Sequence, residues 1–307
     1  MVRDIFMKQI IESIQKLKQK NHAVILVHNY QIPEVQDIGD FIGDSLELSR
    51  KAAATDAEVI IFCGVHFMAE TAAILSPEKK VIIPDPAAGC PLAEMIEPKD
   101  VIRLRNENPG CIVVGYVNTS AAVKAELDIC CTSANASKVV MSLDKNKPVV
   151  FVPDKYLAAY TAFKTNRPMV YWNGYCPTHA KILPQDIFKC KSAYPGAKVM
   201  VHPECRPEVT KLADAVVSTS GMLKYAKETD AEVFIVGTEI DMIYRLNKEN
   251  PGKKFVPASK LAVCPNMKKI TLEKVLWSLE ELKPQVTIPE EIRVRALAAV
   301  NKMIQII

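Results

Sequence analysis

One pattern of residues occurs three times along this chain, and the repeat restricts the possible folds more than any other feature. The runs AVILVH (23–28), CIVVGY (111–116) and AKVMVH (197–202) are apolar, rich in β-branched residues, and close on a polar residue. Those closing residues are His28, Tyr116 and His202, separated by 88 and then 86 positions. A hydroxyl follows each by 17 residues, at Ser45, Ser133 and Thr219. A second apolar run comes next (VIIFCG, PVVFVP, VFIVG), then a helix-like stretch. A third run leads to a cysteine in each copy: VIIPDPAAGC, MVYWNGYC and KFVPASKLAVC. Cys90, Cys176 and Cys264 stand 62, 60 and 62 residues beyond His28, Tyr116 and His202.

The unit therefore reads strand–helix–strand–helix–strand. Short apolar runs that alternate with amphipathic helices imply parallel sheets covered on both faces. The period is too long for a solenoid. The expected fold is α/β: three αβα sandwich domains with small parallel sheets, related by a pseudo-threefold axis, with the active site at their junction. The expected boundaries are 1–88 with the C-terminal helices 271–307, then 89–172, then 173–270. The tail segments TLEKVLWSLEEL and PEEIRVRALAAVNKMI read as two helices that pack back on the first domain or beside the N-terminal helix.

Composition narrows the function classes. The net charge, 39 − 35 = +4, is mild and evenly spread. It gives no reason to expect nucleic acid and suits a small acidic substrate. No apolar run approaches the ~18 residues of a membrane span. The N-terminus is amphipathic and charged, without the apolar core of a signal peptide, so the expected location is the cytoplasm. That compartment is reducing, so the nine cysteines are not read as disulfides. No C-x-x-C occurs, which removes the usual zinc-ribbon and thioredoxin signals.

In parallel α/β sheets ligands bind beyond the carboxyl ends of the strands. A threefold arrangement would bring the loops of Cys90, Cys176 and Cys264 to one point. Soft thiolates select zinc, copper(I) or iron–sulfur clusters. Electron-transfer clusters usually take four cysteines. Three leave a coordination position open, which suits Lewis-acid catalysis. Of the other cysteines, Cys63 and Cys111 fall in strand-like runs and are expected in the core; Cys130, Cys131, Cys190 and Cys205 lie outside the repeat.

Ser45, Ser133 and Thr219 lie near helix starts, where a hydroxyl either caps the helix or faces an anion. Three such ends around one axis would suit a multiply anionic ligand. The Gly-rich loops that hold dinucleotides or nucleoside triphosphates are absent. The strand ends supply acid–base groups: His28-Asn29-Tyr30, Tyr116-Val117-Asn118 and His202-Pro203-Glu204. His22, His66 and His179 lack the support of the repeat.

At these residues the chain closely resembles the quinolinate synthases, the A-type proteins of de novo NAD biosynthesis, in a short form like those of archaea and thermophiles. The resemblance covers nearly the whole chain. It includes HNYQIPEVQDIGDFIGDS (28–45), YVNTSAAVKAELDICCTSANA (116–136), GYCPTH (174–179), VHPEC (201–205), VGTEIDMIYRL (236–246) and CPNMKKITLE (264–273). It implies a [4Fe–4S] cluster on Cys90, Cys176 and Cys264. It implies condensation of iminoaspartate with dihydroxyacetone phosphate to quinolinate, with loss of phosphate and two waters. The matching substrate-binding positions are His28, Ser45, Tyr116, Asn118, Ser133, His202, Glu204 and Thr219. Tyr30 matches a tyrosine that closes over substrate. Glu204, with His202 and Tyr116, is the expected proton relay. An aspartate oxidase or aspartate dehydrogenase would supply the imine. The rival readings are an open-iron hydro-lyase acting on another di-acid, an iron–sulfur sensor, and a structural zinc site.

Overall fold

Runs such as Val-Ile-Leu-Val in the first repeat have no polar alternation, so both faces of the strand must be buried. The computed structural model describes residues 2–306, with side chains from residue 6 onward, and it places each run in the middle of a small sheet. Three four-stranded sheets form, and every strand pairing within them is parallel. The first contains β1 (Ala23–His28), β2 (Phe41–Gly43), β3 (Val59–Cys63) and β4 (Lys80–Ile82), in the order β2-β1-β3-β4. The second contains β5 (Ile112–Tyr116), β6 (Ile129–Cys131), β7 (Val149–Val152) and β8 (Val170–Tyr171), ordered β6-β5-β7-β8. The third contains β9 (Lys198–Val201), β10 (Ala215–Val216), β11 (Val233–Gly237) and β12 (Lys254–Pro257), ordered β10-β9-β11-β12. The three orders are the same, so the repeat read along the chain is a repeat in space.

Two details differ from the expected unit. Each copy has four strands, not three. The extra strands, β2, β6 and β10, are two or three residues long and lie at sheet edges. They are too short to produce a periodic signal. The runs that lead to the cysteines also stop early. Cys90, Cys176 and Cys264 stand 8, 5 and 7 residues beyond the last residues of β4, β8 and β12, on loops.

In each sheet the chain order switches between the first and third strands. Connections leave in opposite directions there and open a crevice at the carboxyl ends. His28 and Tyr116 are the last residues of β1 and β5, and His202 directly follows β9. The C-terminal helices brace the assembly: Leu272–Glu281 packs on Val2–Lys20, and Glu290–Gln305 packs on both His66–Leu75 and β6. One buried core cluster runs through all three sheets.

Gly174 shows how tightly the loops at this end are drawn in. A Cβ there would sit 2.4 Å from the carbonyl oxygen of Pro153, which is backbone and cannot rotate away. The Gly174 carbonyl also accepts from Lys155 N at 2.9 Å, which ties the Cys176 loop to the end of β7. Gly174→Ala is expected to cost about 1–3 kcal/mol, as overpacking does. Thermal unfolding of the metal-free protein measures it.

Candidate active site

The polar strand ends and the cysteine loops converge. All twelve residues singled out from the sequence line one cavity of about 70 Å³, although they come from all three repeats.

The hydroxyls are not the helix caps. Helix Ser45–Ala54 is capped by Asp44, which accepts from Leu46 N and Glu47 N, and helix Thr219–Glu228 by Ser218, which accepts from Gly221 N. Ser133 precedes helix Ala136–Ser142, whose N-cap is Asn135. Neighbours do the capping beside Ser45 and Thr219, Asn135 makes no side-chain cap bond beside Ser133, and all three hydroxyls line the cavity. Two of them are oriented across unit boundaries. Asn29 Nδ2 donates to Thr219 Oγ1 at 2.6 Å, and Ser133 Oγ lies 3.1 Å from His202 Nε2.

Glu204 is the centre of the polar network and is buried. Its carboxylate lies 2.7 Å from His179 Nδ1, 3.3 Å from His202 Nδ1 and 3.5 Å from Asn118 Nδ2. Burial alone would raise its pKa, but the two imidazoles outweigh burial and hold it below the usual carboxylate range. Tyr116, bonded to Glu204, is pushed well above the usual phenol value by burial and then by that carboxylate. Burial, with His202 beside it, pushes His28 down to about 3. Tyr30 N donates to His28 Nδ1 at 3.2 Å, which leaves Nε2 of the neutral ring as the donor.

The same reasoning gives direction to a second chain of contacts. A carboxylate only accepts, so His179 Nδ1 donates to Glu204, and Nε2 is the ring atom left to face Thr238. Thr238 Oγ1 lies 2.9 Å from that Nε2 and 2.6 Å from the hydroxyl of Tyr30. The protons then line up from Tyr30 to Thr238, to His179, to Glu204. Tyr30 is pushed well above the ordinary phenol value by burial and by Glu204, so it stays a phenol.

Cys90, Cys176 and Cys264 are free thiols that line the cavity and are only partly buried as residues. Burial pushes Cys90 up to about 12 and raises Cys176 and Cys264. Bare thiols in this place are therefore neutral, and only a bound cation would make them thiolates. Of the other cysteines, Cys63, Cys111, Cys130, Cys131 and Cys205 are buried in the cores, and Cys190 approaches the carbonyls of Pro257 and Ala258.

A family model described as quinolinate synthetase A protein matches residues 12–305. A quinolinate synthase of Dehalococcoides mccartyi (strain CBDB1) is 57% identical over 303 residues, 99% of this chain and 100% of that protein. Quinolinate synthase 1 of Methanosarcina acetivorans is 53% identical over 297 residues, 97% of each chain. The quinolinate synthase of Thermodesulfovibrio yellowstonii is 50% identical over 298 residues, 97% of this chain and 98% of that one. The chain belongs to the quinolinate synthase family. It is an enzyme, as the members of that family are.

The donor set fits the cluster that the resemblance to the quinolinate synthases implies. Three thiols from three loops line one cavity, and among the described residues no fourth cysteine lines it. Asn118 Oδ1 is buried beside them without a hydrogen-bond partner, an acceptor left over for a ligand. Cys176, His179 and Glu204 also bring ligand atoms within 4.8 Å of one another, the spacing of a single-ion site. Hydrogen bonding accounts for that closeness, since His179 Nδ1 donates to Glu204 and lies 3.1 Å from Cys176 Sγ.

Two members of the network were missed in the sequence. His179 lies outside the repeat, so the repeat gives it no role. Its Cys-x-x-His spacing from Cys176 was the available signal: on the short helix Pro177–Ala180 it turns the ring back toward the thiol. Thr238 directly follows β11, at a strand end like the residues that were found, but nothing about a threonine there points to chemistry.

Proposed function

We propose that this chain condenses iminoaspartate with dihydroxyacetone phosphate to give quinolinate, phosphate and water, as a step of NAD biosynthesis in the cytoplasm. An aspartate oxidase or aspartate dehydrogenase would supply the imine. The observation that carries this reading is the meeting of three cysteines and the Glu204 network in one cavity. In the same reading the chain divides at 1–88 with 271–307, 89–172 and 173–270, and the reaction takes place where the three parts meet. No described helix is long and apolar enough to cross a membrane.

Cys90, Cys176 and Cys264 would hold a [4Fe–4S] cluster. Bound there, it supplies an iron with an open position, a Lewis acid for a departing hydroxyl. The protein does the rest. Ser45, Ser133 and Thr219 offer hydroxyls at or near helix starts, where carboxylate and phosphate oxygens are stabilised. His28, neutral at physiological pH, donates from Nε2 to a substrate oxygen, and Asn118 fixes orientation. Glu204 is the base. It exchanges protons directly with groups near Tyr116 and His202. Through His179 and Thr238 it takes up a proton delivered to Tyr30, while each relay member gives one proton and gains one. The burial of His28, Tyr30, Tyr116, His179, His202 and Glu204 keeps water away from the imine.

The deciding experiment adds both substrates to anaerobically purified protein and measures quinolinate. Iron and sulfide analysis of the same sample distinguishes a cluster from zinc. Turnover of a di-acid without dihydroxyacetone phosphate would point to a hydro-lyase, and absence of quinolinate would overturn the proposal. Within it, Thr238→Val keeps the shape of the side chain and cuts the relay. It is expected to lower kcat about 10²-fold, the usual weight of one positioned proton transfer. Thr238→Ser should restore most of the rate. Steady-state kinetics at saturating substrate measure both.

A further inference from the structure

The cysteine loops of the second and third units are fastened in one way, and that of the first in another. Strand β7 ends at Val152 and β11 at Gly237. Two residues beyond each stands a fully buried acid, Asp154 and Glu239. Asp154 Oδ2 accepts from the backbone N–H of Cys176 at 3.2 Å. Its Oδ1 accepts from Tyr156 N and Leu157 N, both at 2.8 Å, and so caps the helix Lys155–Thr165. Glu239 Oε1 accepts from the backbone N–H of Cys264 at 3.1 Å and lies 2.9 Å from Lys268 Nζ. Its Oε2 accepts from Asp241 N at 2.9 Å. In the first unit β3 ends at Cys63, and the residue two beyond it is Val65, buried and apolar. There the loop before Cys90 is held through its carbonyls, Ala88 O accepting from His66 N at 2.8 Å, Gly89 O from Asn266 Nδ2 at 2.9 Å and Ala87 O from Lys269 Nζ at 2.6 Å.

A carboxylate is costly to bury unless donors satisfy it. Helix capping explains Asp154 Oδ1 but not Oδ2. It does not explain Glu239, because the next helix, Met242–Glu249, has Asp241 at its N-cap. The arrangement that the two acids share is the bond to the amide of the cysteine. We infer that Asp154 and Glu239 are positioning residues for two of the three cluster-binding thiolates, each clamping the backbone of its cysteine so that the sulfur faces the cavity before iron arrives. Groups that orient metal ligands in this way typically change metal affinity 10- to 100-fold when removed, because the ligands must otherwise be ordered on binding. The inference rests on the cluster proposed above.

Asp154→Asn tests it with little other disturbance. Its amide oxygen can keep the two helix N–H groups, which turns the NH₂ toward Cys176 N–H, donor against donor. Glu239→Met removes the acceptor at Cys264 outright, whereas a glutamine would keep its oxygen on Cys264 N–H and Lys268 Nζ. Two quantities are read: the rate at which anaerobically reconstituted protein loses iron to a chelator, and hydrogen exchange of the Cys176 and Cys264 amides in the metal-free protein. Each variant is expected to lose iron about 10- to 100-fold faster, with faster exchange at its own cysteine and a metal-free melting temperature lowered by only about a few degrees, the cost of one lost buried hydrogen bond. Asp100→Asn, which alters an exposed cap where Asp100 accepts from Glu97 N, should leave both readings at wild type. Iron loss at the wild-type rate in both variants would overturn the inference, and if Asp154→Asn does not fold, Glu239→Met decides alone. If the wild-type protein takes up no iron, the cluster reading has failed. Exchange then still judges the clamp, which unprotected Cys176 and Cys264 amides in the wild-type protein would refute.

Discussion

Cys176→Ala is expected to give a folded protein that holds almost no iron and makes no quinolinate. The backbone N–H of residue 176 can still reach Asp154, and Sγ makes no bond that the cores need. The metal-free variant should therefore melt as the wild type does. A cluster cannot be kept on the two thiols that remain. Iron is expected to fall from about four per chain to near zero, since ordinary clusters rely on several cysteine ligands. The Lewis acid disappears with it, worth several kcal/mol, or on the order of a thousandfold in rate. Anaerobic iron and sulfide analysis, with product measured on the same sample, checks this. A variant that kept either its iron or its activity would exclude the proposed site.

Glu204→Gln should separate chemistry from cluster binding. Glutamine keeps the size of the side chain, and its amide oxygen can still accept from His179 Nδ1, 2.7 Å away in the wild type. It cannot take up a proton. Both routes that end on Glu204, the direct one and the one through Thr238, therefore lose their acceptor. The expected result is a fall in kcat of about 10²- to 10⁴-fold, with KM and iron content close to wild type. That split is the informative part. Loss of iron along with activity would mean that Glu204 supports the metal and is not the base.

Much of the site was legible because function and repeat coincide. His28, Tyr116 and His202 stand where apolar strands stop, and a polar residue there faces the crevice in any parallel sheet. Cys90, Cys176 and Cys264 could be grouped because their spacing follows the period of the chain. The residues that were missed break that logic. His179 and Thr238 have no counterparts at repeated positions, and only their contacts, 2.9 Å between them and 2.7 Å from His179 to Glu204, reveal a relay. The edge strands β2, β6 and β10 escaped notice because two or three residues carry no periodicity. The hydroxyls could be placed near helix starts but with capping left open, since a cap is decided by which neighbour turns its oxygen toward the helix.

The sequence by itself determined that there are three parallel sheets, which strand ends carry polar groups, and which three cysteines are equivalent. These follow from apolar runs and spacing, which are local properties repeated along the chain. Only the tertiary structure decided which way the side chains point and what they touch. It made Asp44 and Ser218 the caps and left Ser45 and Thr219 to the cavity. It surrounded Glu204 with two imidazoles that hold it charged despite burial. It also broke the symmetry of the repeat, with acids at Asp154 and Glu239 and an apolar Val65 in the matching place. Hydrogen bonds and charge interactions depend on distances of a few ångströms between residues far apart in the chain, and spacing along the sequence does not contain those distances.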